Sequence, residues 1–340
     1  MKYIGLDAHI SSCTFHVLDA DGKSLDGQET ATTGSKLVSY LRGISGEKTL
    51  CFEETNLARW LYAILKKEVD HVVVCDPVMN HLMSQGPKND KVDAKKLAQL
   101  VRGGFVNPVF HSGDEREEFR DLVGGYDDLI RDFVRLKNRY KALFRSQGVR
   151  RTGGDFYEEK SFLKDLQKRP ARFVGKGLYE TIVFFEERRK EYVSELQKQS
   201  RKFPEIRLLK TIPGIGVIHA CKIVAAVVSP DRFQNKYKFF SYCGLVKHQQ
   251  ESGGRSYGLR TAHSNRTLKG VFRMAGHTVV RGKSALRKEY DRMMSKGISS
   301  HAAYNAVCRR IAALSLILWK NGEKYKDDYV KDSSKKKIQS

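Results

Sequence analysis

Lys2-Tyr3-Ile4-Gly5-Leu6-Asp7 is a short apolar run that ends on a carboxylate, and its reading decides that of the first third of the chain. Cys13-Thr14-Phe15-His16-Val17-Leu18-Asp19 follows with polar and apolar residues alternating, the period of a half-buried strand. Asp21-Gly22 after it signals a turn. A third strand is expected near Glu29 to Thr33. Leu37 and Leu41 give one apolar face to a helix over Ser35 to Arg42. Thr49-Leu50-Cys51-Phe52-Glu53 has the continuous apolar character of a buried strand, and a helix is expected from about Asn56 to Lys67. His71-Val72-Val73-Val74-Cys75-Asp76 is a further buried strand, closed by Pro77. Asp90 to Val101 is a helix carrying Val92, Leu97, Leu100 and Val101.

Three strands followed by alternating helices and strands is the order of a ribonuclease-H-like α/β domain, here residues 1–110. Residues 114–205 change character. Phe119, Leu122, Val123, Tyr126, Ile130, Phe133, Leu136, Tyr140 and Phe144 recur at spacings of three and four, which predicts one long amphipathic helix. Gly124-Gly125 weakens its first half by about 1 kcal/mol per glycine relative to alanine. A break is expected over Gly148 to Asp155, and Leu178, Ile182, Tyr192 and Leu196 mark a second long helix. The two are expected to pair as a helical, coiled-coil-like hairpin or with another subunit. Residues 206–325 read as a third, mainly helical unit, and 326–340 as a disordered basic tail.

Composition removes several classes. With 40% hydrophobic and 30% charged residues, the 340-residue chain can bury a core, so wholesale disorder is excluded. The densest apolar run, Ile311 to Trp319, is far shorter than the roughly 20 residues of a membrane helix. The N-terminus lacks the apolar stretch of a signal peptide. Six scattered cysteines form no C-x-x-C pair, which argues against a zinc ribbon or disulfide scaffold and points to the cytoplasm. Net charge is +23, and residues 206–340 hold 27 Lys/Arg against 8 Asp/Glu, whereas residues 1–205 hold 35 against 31. A C-terminal part so basic calls for a polyanion, with nucleic acid the default.

Three constellations could carry chemistry. Asp7 and Glu53 close strands that lie side by side in the expected sheet, and Asp90 and Asp93 share one helix face at i and i+3. Four carboxylates at one point repel unless Mg²⁺ or Mn²⁺ neutralises them, and such ions would bind a phosphate. The simpler alternative is that the strand-end acids are solvated and Asp90 caps its helix. Glu54 points to the opposite side of the strand from Glu53. The second constellation is Thr211-Ile212-Pro213-Gly214-Ile215-Gly216, flanked by Lys210 and Lys222, a helix-hairpin-helix-like turn whose glycines let backbone N–H groups meet a phosphate. An ordinary αα turn is its alternative. The third is Gln249-Gln250-Glu251-Ser252-Gly253-Gly254-Arg255, a polar loop in which Arg255, Arg260 and Arg266 could stabilise a phosphoryl transition state beside Ser252. From that loop alone, a solvent-exposed serine in a glycine-rich turn is the simpler reading.

Taken in order, these pieces resemble the DEDD transposases of the insertion-sequence family one-ten, bridge-RNA-guided serine recombinases related to Piv-type DNA invertases. The matching pieces are Tyr3 to Asp7, Phe52 to Thr55, Asp90 to Leu97, Leu209 to Gly216, Tyr242-Cys243-Gly244-Leu245 and Glu251-Ser252-Gly253, in the family's order over nearly the whole chain. The resemblance implies a RuvC-like metal site of Asp7, Glu53, Asp90 and Asp93, then a helical insert, then a transposase domain with Ser252 as nucleophile. It also implies a structured noncoding guide RNA pairing with donor and target DNA, and a homotetramer acting as a pair of dimers. Val246-Lys247-His248 departs from the proline often found after Gly-Leu, the glycine usual before Leu268-Lys269 is replaced, and Glu53-Glu54-Thr55-Asn56 replaces an E-A-T-G type turn. The expected function is therefore strand cutting and rejoining through a phosphoserine link. The alternatives are a metal-only nuclease of the Holliday-junction resolvase type and a non-catalytic nucleic-acid-binding protein.

Overall fold

β1 (Lys2–Ala8) and β4 (Lys48–Glu53) run parallel at the centre of a six-stranded sheet, covered on both faces, which is why their sequences are almost continuously apolar. The computed structural model describes residues 1–77, 89–111, 113, 115–150, 155–157, 160–260 and 264–331, in two units, Met1–Asp114 and Glu115–Ser340. The first unit is mixed α/β. β2 (Ser12–Leu18) pairs antiparallel with β1, and β3 (Ser24–Ala31) pairs antiparallel with β2. β5 (His71–Cys75) lies parallel to β4, and the two-residue β6 (Pro108–Val109) closes the far edge, for an order β3-β2-β1-β4-β5-β6. The third strand begins five residues earlier than Glu29. It is an edge strand, exposed over most of its length, so it carries no apolar alternation to read.

Strand alternation sorts the core into two layers. Ile4, Leu6, Phe15, Leu50 and Phe52 pack with Leu37 and Leu41 of α1 (Gly34–Gly43) and Leu61 and Leu65 of α2 (Ala58–Leu65). Cys51, Cys75 and Tyr3 pack with Leu97 and Val101 of α3 (Asp90–Arg102). Gly5 sets how closely α3 approaches: a Cβ there would lie 1.9 Å from the Ala94 carbonyl oxygen and 2.6 Å from the Ala98 nitrogen.

The second unit begins with α4 (Glu115–Ser146) and α5 (Arg169–Gln199), of 32 and 31 residues, which pack on each other. Each would span nearly 50 Å. Gly125 lies where a Cβ would come within 2.9 Å of the Tyr192 hydroxyl. Phe133, Leu136, Tyr140 and Phe144 form one cluster with Phe156, Leu166, Tyr179 and Ile182. The glycine pair at 153–154 lies outside the described residues.

Phe119, Val123, Tyr126 and Leu196 join a larger core with Leu209, Val224, Phe239, Phe272 and Ile311, so a boundary at 205/206 falls inside one apolar cluster. That core is built from α6 (Pro204–Leu209), α7 (Val217–Val227), α8 (Lys236–Tyr242), α9 (Arg266–Arg281), α10 (Ala285–Ser295) and α11 (Ser300–Asn321). The unit also holds an antiparallel hairpin, β7 (His248–Ser252) and β8 (Arg255–Arg260), exposed along both strands. Asp328–Lys331 forms a short helix, α12, within the stretch expected to be a disordered tail; residues 332–340 lie outside the described residues. No described helix is long and apolar enough to cross a membrane.

Candidate metal centre and joining serine

Asp7 stands next to last in β1 and Glu53 ends β4, one step beyond the Leu6–Phe52 pair of the parallel ladder. Both follow the alternation of Tyr3, Gly5 and Cys51, so they face the α3 side of the sheet. α3 starts at Asp90. Its N-cap is Asn89, whose side chain accepts from the Lys91 N–H, and the Asp90 carboxylate is thereby left out of capping. Because Gly5 admits α3 to backbone contact, the first turn bearing Asp90 and Asp93 comes down beside Asp7.

Asp7, His9 and Asp90 each offer a ligand atom, all within 4.8 Å of one another. His9 Nε2 is 3.3 Å from Asp7 Oδ2 and 3.8 Å from Asp90 Oδ1. Burial raises the Asp7 pKa above its ordinary value, His9 offsets part of that, and the negative fields of Asp90 and Asp93 add to it. Glu53 is raised too, first by burial and then by Asp7, Asp93 and Asp76. Asp7 and Glu53 thus feel their neighbours' charge, and Asp93 is 3.4 Å from Lys96 Nζ. Glu54 goes the other way, 2.6 Å from the buried His111, which stacks on Tyr62.

His9 and Asp76 were not singled out from the sequence. Asp76 follows β5 as Glu53 ends β4, a strand-end position that could have flagged it. His9 is two residues beyond Asp7, a D-x-H spacing with no standing as a metal signature.

Ser252 is not on a loop but is the last residue of β7. Gly253 (φ +57°) and Gly254 (φ +75°) form the two-residue turn to Arg255, its cross-strand neighbour. Positive φ at both positions explains the glycine pair without reference to a ligand. Ser252, Arg255 and Arg260 are exposed, and among the described residues the Ser252 hydroxyl makes no hydrogen bond. Arg266 opens α9. The exposed Arg273, His277 and Arg281 and the half-buried Lys269 continue the polar face of that helix, which holds no acid. Apart from Arg266, this stripe was not anticipated, although its spacing is legible.

The Thr211–Gly216 turn links α6 to α7. Ile212 and Ile215 are buried, and Thr211 Oγ1 donates to the Leu208 carbonyl and accepts from the Tyr325 N–H. Gly214 (φ +86°) would place a Cβ 2.5 Å from the Ala275 carbonyl oxygen, so close packing on α9 already requires it. Gly216, exposed, is the N-cap of α7. Lys210 is exposed. Lys222, expected on a phosphate, instead pairs with Asp127 and lies over the Tyr126 ring; on α7 it points back toward α4.

A profile of the DEDD transposases of the IS110 type matches residues 4–147, and one described as transposase, IS116/IS110/IS902 family, matches residues 206–291.

The chain belongs to the IS110 family of transposases.

The first match contains all four acids and the second contains Gly214, Gly216, Ser252 and the three arginines. The IS110-family chain is also 25% identical over 175 residues to the transposase for insertion sequence element IS1111A of Coxiella burnetii, covering 49% of this chain and 48% of that relative. It therefore aligns with about half the length of that protein.

Proposed function

We propose that this IS110-family chain is an RNA-guided DNA recombinase, a transposase of an insertion sequence that cuts and rejoins donor and target strands through Ser252 with divalent ions held by Asp7, Glu53, Asp90 and Asp93. The observation that carries it is the meeting of acids from three separate segments at one edge of a ribonuclease-H-like sheet, with burial and mutual repulsion raising the pKa of Asp7 and Glu53. That donor set, hard oxygens with excess negative charge, fits Mg²⁺ or Mn²⁺. A divalent ion bound there would neutralise charge on the phosphate and on the attacking and leaving oxygens.

The remaining work belongs to the chain. Ser252 Oγ attacks phosphorus and loses its proton; one P–O bond of the strand breaks, and the departing oxygen takes up a proton. Attack by the hydroxyl of a second strand reverses the step and frees the serine, so bond energy is conserved and no nucleotide is consumed. Gly253 and Gly254 leave the backbone beside Ser252 open to a phosphodiester. Arg255, Arg260 and Arg266 would stabilise the charge of the pentavalent state. Lys210, Gly214 and Gly216 would hold a phosphate at the α7 N-terminus. Ser252 lies in the second unit and the four acids in the first. The guide RNA and a tetramer of paired dimers rest on the family resemblance; the basic residues 206–340 support a polyanionic partner.

Strand cleavage of labelled DNA, with the co-purifying RNA, tests the reading. Asp7→Asn and Asp93→Asn are expected to abolish cleavage with the fold retained, and wild-type cleavage is expected to stop in EDTA. Full activity of both variants in EDTA would remove the metal role. One observation favours a metal-only resolvase as second reading: positive φ at Gly253 and Gly254 accounts for the glycine pair beside Ser252 as a hairpin turn alone. Water-dependent cleavage unaffected by Ser252→Ala would select it.

A further inference from the structure

We infer that His9 is a nitrogen ligand of the same centre and gives it a preference for Mn²⁺ over Mg²⁺. The inference rests on the metal-centre reading above and goes beyond its four oxygen donors. The geometry points to the imidazole as a member of the donor set. Its Nε2 sits 3.3 Å from Asp7 Oδ2 and 3.8 Å from Asp90 Oδ1, on the side of Asp7 where α3 begins. Neighbouring ligands of a six-coordinate ion with bonds of about 2.1 Å are about 3 Å apart, so modest contraction around an ion would satisfy all three donors. The histidine is also fixed at its backbone. Its N–H donates to the Ser12 carbonyl at 2.9 Å, and its carbonyl accepts from Thr32 Oγ1 at 2.7 Å, which ties the β1–β2 turn to the end of β3. Its side chain is 56% exposed, open enough to turn toward an incoming ion.

The choice of metal follows from donor chemistry. Mg²⁺ favours carboxylate and water, whereas an imidazole nitrogen contributes more to a first-row transition ion. Replacing one oxygen position by nitrogen therefore strengthens Mn²⁺ binding relative to Mg²⁺.

The test uses the full chain stripped of metal and titrated separately with Mn²⁺ and Mg²⁺ by calorimetry, together with pulsed electron paramagnetic resonance of the Mn²⁺ form. Wild type is expected to show nitrogen coupling to Mn²⁺. His9→Ala is expected to lose that coupling and weaken Mn²⁺ binding about tenfold or more, the scale of losing a ligand-supporting group, with Mg²⁺ affinity changing less than about twofold. Absence of nitrogen coupling in the wild type, or an equal weakening for both ions, would overturn the inference while leaving the four-acid centre standing. Failure of the wild type to bind either ion would overturn both, and a control with Asp7→Asn separates these cases, since it should weaken both ions whatever His9 does.

Discussion

At the residue scale, Gly5 is the position on which the candidate centre depends without contributing a donor. A Cβ there would lie 1.9 Å from the backbone of α3, which cannot give way as a side chain would. Gly5→Val is expected to push α3 off the sheet, cost about 1–3 kcal/mol in denaturant unfolding, and weaken divalent-metal binding in calorimetry. Retention of both wild-type values would show that Gly5 does not set the α3 position. Asp7 carries a prediction of opposite sign. Its pKa is raised in the folded protein, so the folded state holds that proton more tightly than the unfolded chain does. Its contribution to stability is present at acid pH and is lost as pH rises through the raised folded value. Asp7→Asn removes that loss. The metal-free variant is therefore expected to melt above wild type at neutral pH, with the gap closing toward acid. A variant less stable than wild type at neutral pH would mean the carboxylate is not repelled.

At the scale of elements, the two glycines of the Thr211–Gly216 turn separate folding from binding. Gly214 has positive φ and a backbone oxygen of α9 in the way of a Cβ, whereas Gly216 has open space and φ −86°. Gly214→Ala is expected to cost more than about 1 kcal/mol in urea unfolding, and Gly216→Ala about half that or less. Equal costs would contradict the packing of this turn on α9. The same contrast explains what the sequence could show. Buried central strands and long amphipathic helices were legible because burial on both faces, or on one stripe, leaves an apolar pattern at a fixed period. The first half of β3 and the β7–β8 hairpin were not legible because both are exposed, and exposed strands carry no such pattern. The placement of the four candidate acids was legible because Asp7 and Glu53 lie at the close of β1 and β4, and Asp90 and Asp93 in the first turn of α3. His9 and Asp76 were not, because their place beside Asp7 and Glu53 is a property of folded space. Nor does sequence reveal that Lys222 turns toward Asp127.

At the scale of the whole molecule, residues 206–340 carry 27 basic against 8 acidic side chains, and α9 exposes Arg266, Arg273, His277 and Arg281 with no acid among them. Binding through phosphates releases counterions, so affinity for duplex DNA is expected to fall steeply between about 50 and 200 mM salt, with log K against log[salt] sloping about −0.9 per phosphate neutralised. Arg266→Ala with Arg273→Ala should flatten that slope by about two phosphates' worth, while Lys222→Ala should leave it unchanged because its charge is already paired. A salt-independent affinity would remove nucleic acid as the partner of this surface. Ser252 is expected to join DNA covalently, with the four acids making that step possible. The most direct measurement is denaturing electrophoresis of labelled target DNA incubated with RNA-loaded wild type, Ser252→Ala and Asp93→Asn. A protein–DNA adduct is expected with wild type alone, and Ser252→Ala is expected still to bind DNA and divalent metal but to yield no adduct and no recombinant product. Recombination by Ser252→Ala at the wild-type rate would contradict it.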